Sequence, residues 1–424
     1  MKVKISRSNI SGTVRAPASK SYTIRALVCA GLASGESLIE NPLDAEDTNA
    51  TRRVLRGLGV IINDKDSDCW RVRGGALKAS GRPLFCGDSA ATLRFMAAVC
   101  AGIPGLHHLV PGPSLARRPI TPLLDTLNRL GASCAVENGA VVIHGDQAEG
   151  GQLDIPGDIS SQFISALLLL APRLKHGLTL ELSSPPVSRP YLEMTRECLG
   201  AFAVQTEATP DHRHIEVSHQ EYKPASYSVE GDWSSASYLL ALGAVSGEVT
   251  VTGLNSESFQ GDRIVLQCLR QMGASVVAAP GATTVRQSGL NAVSINLADC
   301  IDLLPTLAVL AALARGTSVF TGIRTARLKE SNRVMALCQG LSRMGIKVIE
   351  EEDTLSISGG KPSGAVIDSF GDHRIAMAFG VLATAVGNVA IDTGECVAKT
   401  YPGFWQTLSQ LGVLVEIENG QHAG

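Results

Sequence analysis

Aromatic side chains make up only 4% of the 424 residues, too few to build the stacking platforms on which single-stranded nucleic acids lie. Charge of one sign is not in excess. There are 37 Lys and Arg against 40 Asp and Glu, a net charge of −3, so no global basic field draws polyanions. The ten cysteines include no Cys-x-x-Cys pair and no Cys/His cluster at zinc spacing, which leaves no metal site to expect. They read as small buried thiols of a reducing compartment. No apolar run reaches the ~20 residues that span a bilayer. The two longest, Leu303–Ala314 and Ile375–Ile391, are rich in Ala and Gly and read as buried helices. The N-terminal MKVKISRSNISG has no apolar signal core. Also missing are G-x-x-x-x-G-K-[ST], H-E-x-x-H and G-x-S-x-G. These absences leave a cytoplasmic globular protein without nucleic-acid or membrane partners.

What is present is repetition. A helical tail ending in L-x-x-L/M-G, followed by a β-rich run, recurs as LRGLGVII, LNRLGASCAV, ECLGAFAV, LRQMGASVV, LSRMGIKVI and LSQLGVLV. The marker glycines are Gly59, Gly131, Gly200, Gly273, Gly345 and Gly412, spaced by 72, 69, 73, 72 and 67 residues. Glycine suits the left-handed residue that closes a helix. Five repeats end in two strands, but the sixth has only VLVEIE. The N-terminal VKISRS is a strand without a repeat, so residues 1–12 are expected to complete the sixth. The first lobe would be residues 20–229 and the second residues 1–19 with 230–424, joined by two crossings that form a hinge. Strands and helices interleave, so the class is α/β or α+β.

Each repeat also opens an earlier helix with a polar cluster: PASKS, GDSAATLR, GDISSQ, GDWSSAS, ADCIDLLPT and GDHR. Ser, Thr and Asp there are helix caps on the plainest reading. In register, helix N-termini with free N–H groups also make anion sites. The second loop of each repeat is charged as well, at Asp44–Asp47, Arg117–Arg118, Ser188–Arg189, Asp262–Arg263, Lys329–Arg333 and Lys399. Lys20, Arg25, Arg94, Arg118, Lys329, Arg333, Arg374 and Lys399 all fall in these places, more cations than one phosphate needs. Arginine forks and mobile lysines suit a ligand set with several anionic groups. Ser21 and Arg25 are expected on one helix face, as are Lys329 and Arg333. Asp302, at the start of an apolar helix, reads either as a cap or as a proton acceptor. Glu330 reads as an ion pair or as a second one. Nearby cations would keep both ionised.

SKSYTIRA, LDAEDT, GDSAATLR, RRPI, SSQF, SRPY, EGDWSSASY, the Asp302 segment, RLKESNR, GDHRIAM and AKTYP cover essentially the whole chain in one order. In this the sequence resembles the 5-enolpyruvylshikimate-3-phosphate (EPSP) synthase family of enolpyruvyl transferases. The resemblance implies an inside-out α/β barrel of two lobes with three repeats each. Shikimate 3-phosphate and phosphoenolpyruvate would bind between the lobes. It implies transfer of the enolpyruvyl group to the 5-hydroxyl of shikimate 3-phosphate through a tetrahedral intermediate, with release of phosphate and without metal or organic cofactor. A monomer is expected.

By the same resemblance Lys20, Ser21, Arg25, Ser160, Ser161, Gln162, Ser188, Asp302 and Lys329 contact shikimate 3-phosphate. Lys20, Ala90, Arg118, Gln162, Arg333, Arg374 and Lys399 line the phosphoenolpyruvate position. Asp302, Glu330 and Lys20 are the catalytic set.

Three positions depart from the family pattern. Ala18 and Ala90 stand where glycine is usual, and Thr325 where Asn is common. The Ala90 methyl should crowd the inhibitor glyphosate more than the substrate. Two other functions are open to a chain of this pattern. A UDP-N-acetylglucosamine enolpyruvyl transferase would carry a reactive cysteine where this loop has Pro113. A non-catalytic anion- or RNA-end-binding protein would not be expected to keep Asp302, Glu330 and Lys399 together.

Overall fold

The computed structural model describes residues 1–145 and 148–418. The chain forms two compact lobes, one of Ala18–Glu230 and one of Met1–Pro17 with Gly231–Gly424. In the first, the Ser19 N–H donates to the Glu230 carbonyl at 2.8 Å; in the second, the Asp232 N–H donates to the Pro17 carbonyl at 2.8 Å.

The chain starts with two strands, β1 (Lys2–Ile5) and β2 (Ile10–Arg15). The first repeat follows as α1 (Lys20–Leu32), β3 (Gly35–Glu40), α2 (Glu46–Gly57), β4 (Ile61–Asn63) and β5 (Cys69–Gly74). The second is β6 (Leu84–Gly87), α3 (Ala90–Ala101), β7 (Gly105–Pro111), α4 (Thr121–Arg129), β8 (Ser133–Glu137) and β9 (Ala140–Gly145). The third is β10 (Gly151–Ile155), α5 (Ser161–Leu170), β11 (Leu178–Leu182), α6 (Pro190–Ala201), β12 (Glu207–Ala208) and β13 (His214–Val217), and β14 (Ser226–Ser228) ends the lobe.

The fourth repeat is α7 (Trp233–Ser246), β15 (Gly247–Thr252), α8 (Val265–Gln271), β16 (Ser275–Ala279) and β17 (Ala282–Arg286). The fifth is β18 (Ser294–Asn296), α9 (Leu304–Leu313), β19 (Thr317–Thr321), α10 (Arg333–Arg343), β20 (Lys347–Glu350) and β21 (Thr354–Ser358). The sixth is β22 (Val366–Asp368), α11 (His373–Val386), β23 (Val389–Asp392), α12 (Phe404–Gln410) and β24 (Val415–Glu418).

Among the described residues each repeat makes one four-stranded sheet, and the order is the same in all six. The strand before the first helix lies at an edge, parallel to the strand after that helix. The last two strands are antiparallel, with the final one inside.

Three repeats borrow a strand to complete this order. The edge of the first sheet is β14, and the edge of the fourth is β2. The inner strand of the sixth is β1, which pairs with both β23 and β24. Residues 1–12 therefore do not all finish the sixth repeat. Only β1 does, and the chain then turns so that β2 satisfies the open edge beside β15. An unpaired edge leaves backbone N–H and C=O groups without partners, so each open position is filled.

The first helices of the repeats are apolar on every side and buried, which is how a helix reads at the centre of a lobe. α1, α3 and α5 sit within one apolar core, and α7, α9 and α11 within another. The run Ile375–Ile391 is not one helix. It is α11, a turn at Gly387 and Asn388, and the start of β23. Five marker glycines hold left-handed φ values of 97°, 103°, 88°, 84° and 94° at Gly59, Gly131, Gly273, Gly345 and Gly412. Gly200 does not. It lies inside α6, and the left-handed residue is Ala203, at φ 63°. Phe202 and Val204 are both buried, so the helix runs on until its apolar anchors are in place.

Candidate active site

In the first lobe the polar clusters sit at helix N-termini. Ser19 caps α1, accepting from the Tyr22 N–H; Ser89 caps α3, accepting from the Thr92 N–H; and Ser160 caps α5, accepting from the Gln162 N–H at 3.3 Å. Lys20 opens α1 and donates to Asp47 Oδ2 at 3.0 Å, while Ser21 is half-buried beside it. Ala90 is the buried first residue of α3. Asp88, just before that cap, accepts from the Leu115 N–H at 2.8 Å, which ties the loop carrying Arg118 to the start of α3.

Side chains then link the helices. Arg94 on α3 donates to Gln162 Oε1 at 2.6 Å, and its guanidinium stands 4.9 Å over the Phe163 ring. Arg25 on α1 donates to Thr195 Oγ1 at 2.8 Å, to the Ser21 carbonyl at 3.0 Å and to the Tyr191 carbonyl at 3.1 Å. Burial lowers its pKa, and among the described residues no carboxylate is hydrogen-bonded to it. Ser161 and Ser188 are buried, and Ser188 holds a left-handed φ of 53°, uncommon for a residue with a side chain. The lobe thus gathers helix N-termini, serine side chains and cations, the composition of an anion site.

The second lobe is organised around Arg333, which is 1% exposed. Its Nε donates to Asp372 Oδ2 at 2.8 Å, Nη1 to Asp302 Oδ1 at 2.7 Å and Nη2 to Glu330 Oε2 at 2.6 Å. Burial works to lower the Arg333 pKa, but Asp372, Glu330 and Asp302 together outweigh it and raise it. The other oxygen of Asp302 is 3.1 Å from Arg374 Nη2, and the other oxygen of Glu330 is 3.9 Å from Lys399 Nζ. Each of these two carboxylates bridges two cations, which favours the ionised form that can receive a proton.

Of the two readings of Asp302 the cap drops out, and the shared helix face of Lys329 and Arg333 is overturned. Asp302 does not cap the apolar helix. It lies in a 3-10 turn, Ile301–Leu303, and its side chain serves Arg333 and Arg374 instead. Lys329 and Arg333 do not share a helix face, because Lys329 is extended and α10 begins only at Arg333. Asn332 caps that helix and interrupts the phase on which the spacing argument rested.

Two further acids bear on the site, although their sequence context marks them only as a cap or a loop charge. Asp372, in GDHR, does cap α11 through the Arg374 N–H, yet it also holds Arg333 and accepts from Ser331 Oγ at 3.1 Å. Asp262 is 3% exposed and hydrogen-bonded by Ser234. Burial pushes its carboxyl up to about 7, with Asp302 adding to the rise and Arg374 opposing it. Among the described residues no cluster of His, Cys, Asp and Glu is arranged to hold a metal ion, and no helix is long and apolar enough to cross a membrane.

Comparisons with known proteins agree with this architecture. A family model for EPSP synthase (3-phosphoshikimate 1-carboxyvinyltransferase) matches residues 5–408. A 3-phosphoshikimate 1-carboxyvinyltransferase of Dehalococcoides mccartyi strain BAV1 is 50% identical over 97% of this chain and 98% of its own. That of strain 195 is 48% identical over the same shares. A solved EPSP synthase from Acinetobacter baumannii superposes with a TM-score of 0.83 at 26% identity, covering 99% of this chain and all of the other. The six-repeat architecture is therefore the inside-out α/β fold of these enzymes, and the chain belongs to the EPSP synthase family, the 3-phosphoshikimate 1-carboxyvinyltransferases, which make the enolpyruvyl transfer of the shikimate pathway.

Proposed function

We propose that the two lobes divide the family reaction between them, the first holding shikimate 3-phosphate and the second handling protons. Ser21, Arg25, Ser160, Ser161, Gln162 and Ser188 bind the phosphorylated ring, with Lys329 from the second lobe. The buried, carboxylate-free setting of Arg25 supports this, since its charge is left to act on an anion. Lys20, Ala90, Arg118, Gln162, Arg333, Arg374 and Lys399 bind phosphoenolpyruvate.

Asp302 takes the proton of the 5-hydroxyl as its oxygen bonds to C2 of phosphoenolpyruvate, and C3 gains a proton. The tetrahedral adduct then loses phosphate as the C3 proton leaves and the double bond reforms. Glu330, with Lys20, serves the exchange at C3. Positioning two anions and stabilising the charge that develops account for the rest of the barrier. The ten unpaired thiols fit a cytoplasmic enzyme, and one chain carries every residue named, so a monomer suffices.

The observation that carries this reading is the suspension of Asp302 and Glu330 from one buried guanidinium, at 2.7 and 2.6 Å. The test is phosphate release from phosphoenolpyruvate with shikimate 3-phosphate or UDP-N-acetylglucosamine as acceptor. Release with the first alone is expected; release with neither, or only with the second, defeats the proposal.

A further inference from the structure

Three helices of the first lobe meet at one arginine. Arg25 lies on α1, Ser165 on α5 and Thr195 on α6. Both hydroxyl residues are fully buried, and Arg25 is nearly so. Thr195 Oγ1 accepts from Arg25 Nε at 2.8 Å. The same oxygen lies 2.9 Å from Ser165 Oγ and 2.8 Å from the Tyr191 carbonyl. Arg25 Nη2 donates to that carbonyl at 3.1 Å and approaches Ser165 Oγ at 3.5 Å, while Nη1 donates to the Ser21 carbonyl at 3.0 Å.

The acceptors fall into two kinds. The two carbonyls are backbone groups that other residue types would supply equally. The two hydroxyls depend on the residues chosen. A threonine in a helix is stiff at χ1, and a bond to the carbonyl four residues back holds its oxygen in place. Thr195 has one proton to give, to Tyr191 or to Ser165, and accepts from Arg25 in either case. All four acceptors are neutral. They orient the guanidinium without cancelling its charge, whereas a carboxylate in their place would do both. A guanidinium has five N–H groups, and four are directed at these acceptors. Among the described residues one N–H of Nη1 remains for a ligand, on the edge beside Ser21.

On the reading of Arg25 as a ligand of shikimate 3-phosphate, we infer that Thr195, braced by Ser165, is a positioning residue for that substrate. It sets the guanidinium so that the remaining N–H and the charge are presented to the anion. Without the hydroxyl, the Nε proton is left unsatisfied in a buried place, and the group turns towards another acceptor. Binding then has to turn it back. That penalty falls on the complex and its transition state alike, so it appears in the KM for shikimate 3-phosphate and not in kcat.

The test is steady-state kinetics of the whole enzyme and four variants, each substrate varied in turn. Thr195→Val keeps the β-branched shape and removes the hydroxyl. It is expected to raise the KM for shikimate 3-phosphate about tenfold, with kcat and the KM for phosphoenolpyruvate within about twofold. Thr195→Ser keeps the hydroxyl and should hold all three constants within about twofold of the parent. Ser165→Ala removes the brace and should raise the same KM by about threefold. Thermal unfolding gives a second readout: the rise in Tm caused by shikimate 3-phosphate should shrink in Thr195→Val and persist in Thr195→Ser. An unchanged Thr195→Val overturns the inference. So does a loss of kcat with KM unmoved, or a rise in both KM values together, since either marks a merely structural role. Failure of Thr195→Ser to restore the parent values shows that shape rather than the hydroxyl matters, with the same result. Should Thr195→Val fail to fold, Ser165→Ala decides alone, and an unmoved KM there defeats the idea. The fourth variant, Arg25→Ala, separates the two layers. If it leaves the KM for shikimate 3-phosphate alone, Arg25 is not a ligand and this inference goes with that reading. If it raises that KM beside an unchanged Thr195→Val, this inference alone fails.

Discussion

Two arginines are buried in this protein as fully as its apolar side chains, and they are held in opposite ways. Arg25 in the first lobe, 2% exposed, meets hydroxyls, carbonyls and the Phe95 ring, 5.2 Å away. Arg333 in the second lobe, 1% exposed, meets three carboxylates. Burial lowers the pKa of the first, while Asp372, Glu330 and Asp302 override burial and raise that of the second. The guanidinium keeps its charge in either case. In the first lobe, on the proposed function, that charge is the one that meets an anionic substrate. In the second it is met by the protein's own acids, two of which the proposed function makes the proton acceptors. One fold, repeated, thus sets a buried guanidinium among neutral groups in one half and among carboxylates in the other.

The comparison breaks most visibly at Arg333. Arg333→Ala leaves Asp302, Glu330 and Asp372 facing one another without their common cation. Removing one partner of a buried ion pair costs about 3–5 kcal/mol, and a large part of the stability of a typical domain is at stake. Urea unfolding should show that loss, together with collapse of turnover. Arg333→Lys should recover some stability and little activity, since a point charge cannot reproduce the fork that meets three carboxylates. Wild-type stability in Arg333→Ala would show that the three acids are not ionised together.

Asp262 gives a test with a sign. Its folded pKa, about 7, is above the usual carboxylate value, so the folded protein holds this proton more tightly than the unfolded chain. The stability it contributes is complete below pH 4 and is lost as pH rises towards 7. At about 1.4 kcal/mol per unit the loss amounts to a few kcal/mol. Asp262→Asn carries no such proton. Its urea midpoint, compared with the parent, should improve steadily between pH 4 and 7 and level off above. A constant difference across that range would put Asp262 in the ordinary carboxylate class.

How much of this was legible in the sequence follows from the range of each interaction. Ser19, Ser89, Ser160, Asp232 and Asp372 cap helices where the residue types indicate, because a cap reaches only two or three residues along the chain. The repeat was legible for the same reason, apart from the third marker, where Ala203 takes a position that glycine fills elsewhere. The meeting of Arg333 with Asp302 and Asp372 spans 31 and 39 residues, and no periodicity encodes it. Spacing alone put Lys329 on the Arg333 face and failed, because a helix phase holds only inside a helix and α10 starts at Arg333. The division of residues 1–12 between two sheets was hidden likewise. A strand shows its own alternation but not the identity of its neighbour.

Arg25→Ala turns back to the first lobe and should do less damage than Arg333→Ala. It strands hydroxyls and carbonyls rather than charges, at about 1–3 kcal/mol for buried groups left unsatisfied. The comparison predicts that its main effect is on the KM for shikimate 3-phosphate, with kcat less changed. A loss of kcat as deep as that of Asp302→Asn, with KM unmoved, would place Arg25 in the proton chemistry and erase the distinction between the lobes.

The finest test of the first lobe concerns shape rather than charge. Ala90 is the buried first residue of α3, one residue after the Ser89 cap, where the helix offers its free N–H groups. The Ala90 side chain is a single methyl, so Ala90→Gly changes room without changing charge. If the methyl stands over the phosphoenolpyruvate position, as the resemblance implies, a longer inhibitor such as glyphosate meets it before the substrate does. One methyl against a ligand is worth about 1.4 kcal/mol, a factor of about ten. Ala90→Gly should therefore lower the glyphosate inhibition constant by about tenfold while the KM for phosphoenolpyruvate changes far less. Equal shifts in both constants would mean that the methyl does not discriminate between them, and that the binding field of this lobe selects its anion by charge alone.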